Sequence, residues 1–559
     1  MTAVRTTDRP GAYWAILLCF FASGISGLVY QVVWVRELVL VFGATTFAVS
    51  TVLTAFMGGL ALGSFYFGRR SERVTRPLRL YGLIEIGIGI YGLAVPFIFA
   101  SLPSLYQPFW NWLHLSFFAI SIVRFIFAVA VLIIPTALMG ATLPVLSSYY
   151  ARDRGRIGLH VGSLYALNTF GAVMGAAATG FVLIPSFGMR AATITAAAIN
   201  ILLGLVSLAF ARKYESGADV LNGDSTRKPE TGVSTRKQII ARLRERRYRL
   251  LGSLFPFFTF RKKSESVADA KRQGPKRVDK PVSQPSKEAL SRKELLLVLI
   301  AFGASGFIAL CYEVIWSRVL ALIIGSSVYA FSIMLTTFLI GLAAGASLAS
   351  RFVDRINRPV LAFALIEIGV GVTSLGGAYM FNDLPYFFIE LYRWLEATAF
   401  GVLLFARFLV AMLVMIVPTL MLGALFPLVV RIVSRSRERA TGRMVGDVYA
   451  ANTLGAITGS FASGFVLVPW LGLLGSLRLA ATLNFIVAAA MFLVSHLSEK
   501  RRKEKAAAST STKSPSSKST STKRARARNA PARPQPRLSA ALGLVVSAVL
   551  VAGAVLIEP

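Results

Sequence analysis

Apolar residues in this chain gather in runs of about 20 or more, the length a helix needs to cross a hydrocarbon layer about 30 Å thick. The runs lie at about 13–36, 44–67, 80–103, 117–146, 159–185 and 189–211, and again at 296–319, 326–350, 361–382, 400–429, 443–469 and 474–496. A thirteenth covers about 538–556. Short polar stretches, mostly basic, separate them. The pattern predicts an all-α, polytopic membrane protein and excludes a soluble fold. After the third and ninth runs, LPSLYQPFWNWLHL and LPYFFIELYRWLEA are rich in Trp and Tyr. Each predicts a helix lying in the membrane interface.

The first six runs recur in the second six. In one register Ser23 pairs with Ser305, Gly24 with Gly306, Tyr30 with Tyr312, Trp34 with Trp316, Arg36 with Arg318 and Gly43 with Gly325. The same register pairs Gly59 with Gly341, Gly63 with Gly345 and Glu85 with Glu367. A one-residue slip brings Arg124 onto Arg407, Pro135 onto Pro418 and Pro144 onto Pro427. A further slip pairs Asn168, Gly171, Gly175, Gly180 and Gly188 with Asn452, Gly455, Gly459, Gly464 and Gly472. Two small insertions across a whole half mark a duplication. Six spans per copy is an even number, so the copies are expected to be parallel repeats.

The boundaries read as repeat one at 1–211, a basic linker at 212–294, repeat two at 295–497, a disordered basic linker at 498–537 and a C-terminal transmembrane helix at 538–559. In the central linker, QIIARLRERRYRLLGSLFPFFTF fits either an amphipathic helix on the membrane or an unstructured tether. The first run follows Arg5 and Arg9, but its internal copy near 297–323 makes it a retained span and not a cleaved signal.

Charge adds orientation. The net charge is +34 although only 15% of residues are charged. The excess lies in the two linkers and in the loops after the second, fourth, eighth and tenth spans, which all fall on the side of the N-terminus. The expected placement is therefore a multi-pass protein of the inner (plasma) membrane with a cytoplasmic N-terminus. The basic segments are expected to meet anionic inner-leaflet lipid, with no nucleic-acid partner. Two cysteines, Cys19 and Cys311, and three scattered histidines offer no metal-ligand spacing.

Polar residues inside the spans are the candidate site. Glu85 and Glu367 sit about two turns in from the cytoplasmic end, where an ion pair with Arg73 or Arg355, or a cation or proton site, would explain them. Arg124 and Arg407 lie in the outer third of spans four and ten, Arg36 and Arg318 at the outer ends of spans one and seven. These arginines either snorkel to headgroups or form a two-fold related cluster facing a cavity, which would favour an anionic or zwitterionic ligand. Gln31 and Glu313 are equivalent positions that break the symmetry of charge, and Glu313 with Glu37 would temper that preference. Asn168 and Asn452 stand among G-x-x-x-G steps, a pattern for close helix contact. The four prolines of spans four and ten are expected to bend or break them.

The run SG-x-x-x-L-x-Y-[QE]-V-x-W-x-R, with L-I-E-I-G-[IV]-G, P-T-x-[ML]-x-G-A-x-x-P and Y-A-x-N-T-x-G-A, resembles the membrane part of the fused major-facilitator-like/spermidine synthase-like (polyamine aminopropyltransferase) family. The resemblance implies two major-facilitator-like six-helix repeats plus the thirteenth helix. In that family the last span leads into a soluble catalytic domain, whereas the residues here reach only Pro559 and hold no G-G-G-D-G-like turn. No catalytic residue can be carried over, and no cofactor or metal is expected. The resemblance implies binding or transport of a small polar solute such as a polyamine. The alternative is a non-transporting scaffold for a separately encoded aminopropyltransferase-like subunit.

Overall fold

The computed structural model describes residues 10–214 and 290–511, except 44, 71–73, 114–115, 151–156, 326–327, 396–399 and 437–440. The thirteenth run, the amphipathic segment of the central linker and most of the second basic linker lie outside the described residues.

The first half comprises α1 (Pro10–Phe42), α2 (Thr45–Arg70), α3 (Pro77–Leu113), α4 (Phe117–Tyr150), α5 (Ile157–Ala178) and α6 (Ile184–Tyr214). The second comprises α7 (Arg292–Ile324), α8 (Val328–Phe352), α9 (Pro359–Leu395), α10 (Phe400–Ser436), α11 (Thr441–Ala462) and α12 (Val468–Ser511). A π turn joins α5 to α6 at Thr179–Leu183 and α11 to α12 at Ser463–Leu467. Among the described residues ten helical stretches are long and apolar enough to cross a membrane. Two of them, Leu167–Lys213 and Asp447–Arg501, run to 47 and 55 residues. At about 1.5 Å per residue each is more than twice as long as a crossing needs. Each is interrupted by a glycine at positive φ, Gly188 at 82° and Gly472 at 69°. Side chains with a Cβ are penalised there. Each of the two long stretches is therefore a pair of helices, and the described residues hold twelve helices of membrane-crossing length.

Helices pair by equivalent rules in both halves: α1 with α5, α2 with α4 and α3 with α6, then α7 with α11, α8 with α10 and α9 with α12. Small residues set these contacts. A Cβ at Gly63 would fall into the Ala137 carbonyl, and one at Gly345 into the Leu420 carbonyl. Gly171 and Gly175 lie on the α1 backbone at Phe21 and Ile25, as Gly455 and Gly459 lie on α7 at Gly303 and Phe307. Where hydrocarbon surrounds helices, this close approach replaces the hydrophobic drive to associate. Trp34 and Trp316 are the largest wholly buried side chains. They stack on Tyr30 and Tyr312 at 5.1 and 5.3 Å.

Three local expectations change. The segments read as interfacial helices are continuations of α3 and α9, each 37 residues without a break. Tyr and Trp suit a helix that runs on past the hydrocarbon as well as one lying along it, and at about 55 Å both helices are long enough to do so. The prolines of α4 and α10 do not interrupt those helices. In α4 the carbonyls that the prolines leave free find other donors. Tyr91 Oη donates to Val131 O (3.1 Å), four residues before Pro135. Ser64 Oγ donates to Gly140 O (2.8 Å), four residues before Pro144. Finally, α12 extends to Ser511, so the stretch after 497 begins as helix. SEKRRKEKAAA is made almost wholly of strong helix formers.

Candidate functional site

Glu85 on α3 is wholly buried inside the first half. Ser23 Oγ on α1 donates to Oε1 (2.7 Å) and Asn200 Nδ2 on α6 donates to Oε2 (2.7 Å). Three helices thus converge on one carboxylate. Hydrogen bonds to an ionised acceptor are short and strong. Arg73 lies outside the described residues. Arg355, the expected partner of Glu367, instead places its guanidinium 5.8 Å above the Phe352 ring. Neutral donors from within the bundle hold the Glu85 carboxylate, and Arg355 stands on a ring rather than on Glu367.

Glu367 on α9 is equally buried. Ser305 stands beside it as Ser23 stands beside Glu85, but neither carboxylate oxygen closes a hydrogen bond. The asparagine of this half, Asn484 on α12, donates to Tyr312 Oη (2.8 Å). In the first half the equivalent hydroxyl, Tyr30 Oη, is buried without a partner. Asn200 and Asn484 obey the same register as Asn168 and Asn452. The signal is in the sequence, but uncharged amides inside α6 and α12 do not stand out as ionisable residues do.

Gln31 and Glu313 are buried, and Arg36, Arg318, Arg124 and Arg407 are partly buried. The Arg407 Nε is enclosed without a hydrogen-bond partner. Both deeper arginines are followed by a phenylalanine that crosses to the other half. Phe125 lies 5.0 Å from Phe465, and Phe408 lies 6.3 Å from Phe181. Asn168 and Asn452 are helix-contact residues, their backbone carbonyls lying where a Cβ at Gly24 or Gly306 would fall.

The halves meet at the end carrying the α1–α2 and α7–α8 turns. Phe465 lies 4.9 Å from Phe47 and 6.4 Å from Phe42. Gly464 lies on Ser50, and Gly180 lies on Ser332 in the symmetry-related place. Deeper in, Thr54 Oγ1 donates to Ser460 Oγ (3.1 Å), which donates to Ser50 O (3.0 Å). Gly464 and Gly180, Ser50 and Ser332, and Phe465 and Phe181 recur in register but carry no charge, so the sequence does not single them out. Among the described residues no cluster of His, Cys, Asp and Glu is arranged to hold a metal ion.

No protein-family model matches the chain. Polyamine aminopropyltransferase 2 of Streptomyces coelicolor is 28% identical over 226 residues, 39% of this chain and 37% of that protein. The polyamine aminopropyltransferase of Corynebacterium efficiens is 27% identical over 211 residues, 37% of this chain and 36% of that protein. The matched part is thus little more than a third of the length of these curated relatives. Among solved structures, a mutant peptide transporter POT in complex with alafosfalin matches with a TM-score of 0.50 at 14% identity, covering 88% of this chain and 96% of that one. A D-xylose–proton symporter matches with a TM-score of 0.48 at 14% identity, covering 86% and 98%. The fold is an all-α, multi-pass, major-facilitator-like membrane fold.

Proposed function

We propose that this chain is a carrier of the inner (plasma) membrane, N-terminus in the cytoplasm, that binds and moves a small polar solute, a polyamine being the first candidate. We further propose that it corresponds to the membrane part of the fused major-facilitator-like/spermidine synthase-like family. One observation carries the reading: the two halves meet along a seam of Gly-on-Ser contacts and phenylalanines that is repeated about the two-fold, with few hydrogen bonds across it. A permanent interface is large and continuous, whereas a seam of small residues at one end can part. An anchor for an enzyme needs no such joint. In the proposed orientation the seam closes the outer side. Glu313 with Gln31 would meet an amine of such a solute, whereas a cluster of Arg124, Arg407, Arg36 and Arg318 would favour an anionic or zwitterionic one. The polyamine assignment draws on the names of the distant relatives.

The test is uptake by the purified full chain in liposomes, with labelled polyamines, amino acids and nucleosides. Accumulation of one class, reduced at least tenfold by Arg124→Ala or Glu313→Gln, supports the carrier. No uptake across the panel overturns it in favour of a scaffold for a separate aminopropyltransferase-like subunit.

A further inference from the structure

Glu85 and Glu367 occupy the same place in the two halves and share a serine, a tyrosine and an asparagine as neighbours, while Cys19 and Tyr81 beside Glu85 are replaced in the second half by Ala301 and Phe363. Each faces a serine and a tyrosine of the first helix of its half, Ser23 and Tyr30 on α1, Ser305 and Tyr312 on α7. Each half also contributes an asparagine from its last helix to this network, Asn200 or Asn484. The hydrogen bonds differ. In the first half the amide donates to the carboxylate and the tyrosine hydroxyl is left without a partner. In the second the amide donates to the tyrosine and both carboxylate oxygens are left.

An ionised carboxylate with no donors, buried in a low-dielectric interior, is very costly, whereas a protonated one is tolerated. Two short charge-assisted hydrogen bonds reverse that preference. The geometry points to a proton-binding site in each half, with the halves holding its two states: Glu85 ionised and bound by Asn200, Glu367 protonated with Asn484 turned to Tyr312. When a proton binds Oε2 of Glu85, Asn200 loses its charged acceptor and turns to the vacant Tyr30 hydroxyl. When the proton leaves Glu367 for water, Asn484 returns to the carboxylate. No other bond is made or broken.

In the first half a small cavity lies between Glu85 and the side of the basic loops. This cavity of about 10 Å³, room for one water molecule, is lined by Ile16, Cys19, Leu78, Tyr81, Ser207 and Phe210. Cys19 and Tyr81 border both this cavity and Glu85, so it lies between the end of the bundle and the carboxylate. The other titratable neighbours are Tyr30 of Glu85 and Tyr312 of Glu367, with Cys311 beside Tyr312. The facing residues of α6 and α12 are uncharged amides, so no fixed charge holds either glutamate in one state.

As a coupling site this pair rests on the carrier reading above, but the proton site itself can be tested without any solute. Infrared difference spectroscopy on the full chain in lipid nanodiscs reads the C=O stretch of buried protonated carboxyls. Near neutral pH, Glu367→Gln should remove one component of that signal and Glu85→Gln should leave it intact. Asn200→Leu, which strips Glu85 of its amide donor, should add a component. Should Glu367→Gln not elute as a monodisperse protein, Tyr312→Phe serves in its place: with no tyrosine acceptor Asn484 returns to the carboxylate and the component weakens. Equal signals in wild type, Glu367→Gln and Tyr312→Phe overturn the proposal, as does loss of the signal in Glu85→Gln. These outcomes are separable from failure of the carrier reading, because uptake could succeed without the carboxyl signal, or the signal be present in a chain that moves nothing.

Discussion

Gly464 of the second half lies so directly on Ser50 of the first that a Cβ there would fall inside the serine side chain. Gly180 makes the same contact with Ser332. Overpacking one such point costs about 1–3 kcal/mol. Gly464→Leu should therefore part the seam. Thr54 is buried beneath it, so a cysteine introduced there should react with a water-soluble maleimide roughly tenfold faster or more in the Gly464→Leu background. Cys19 and Cys311 are buried and add little background. Equal labelling rates in both backgrounds would mean that the contact does not hold the halves together.

Arg431 and Asp354 form an ion pair whose two partners should respond very differently to mutation. Arg431 is 8% exposed and Asp354 95% exposed, with Nη1 to Oδ1 at 2.9 Å. Arg431 Nη2 also donates to the backbone carbonyls of Asp354 (2.7 Å) and Ile356 (3.2 Å), closing the short turn after α8. Arg431→Ala leaves those carbonyls and a buried gap, a loss of about 2–4 kcal/mol. Asp354→Asn removes only an exposed charge, worth less than about 1 kcal/mol. Thermal unfolding in detergent should lower the midpoint clearly for the first and barely for the second.

The freed carbonyls of α4 give a third check. Tyr91→Phe and Ser64→Ala each delete one donor, to Val131 and Gly140. Each should lower stability by about 1 kcal/mol. The two sites share no partner, so the double variant should lose the sum. A sub-additive double would tie the two proline positions to one flexible segment.

Much of this architecture was legible in the sequence because its determinants are local or periodic. Apolar run length set the spans, and the repeat register set which glycines make the helix contacts. What was not legible depended on helices meeting in space. Glu85 stood out as a buried charge, and a loop arginine was the natural partner to expect. Nothing within α3 says that Ser23 and Asn200, on two other helices, reach it first. The ends of α3 and α12 were misjudged for a different reason: aromatic and charged residues mark a change of environment, whereas a helix ends only where its hydrogen bonds do.

The start of the second half offers the last prediction. Ser291 and Glu294 form a reciprocal cap on α7, Ser291 Oγ accepting from Glu294 N (3.3 Å) and Glu294 Oε2 accepting from Ser291 N (2.8 Å). The other oxygen of Glu294 meets Arg501 at 3.3 Å, tying the first turn of α7 to the extension of α12. Removing the cap should weigh more than removing the tie. Ser291→Ala costs about 1 kcal/mol by leaving an amide of the first turn unsatisfied. Arg501 is half exposed, so Arg501→Ala should cost a few tenths of a kcal/mol and less at high salt. Amide hydrogen exchange over 292–296 measures both: a several-fold faster exchange is expected for Ser291→Ala, and almost none for Arg501→Ala. The opposite ranking would mean that α7 is held at its start by α12 and not by its own cap.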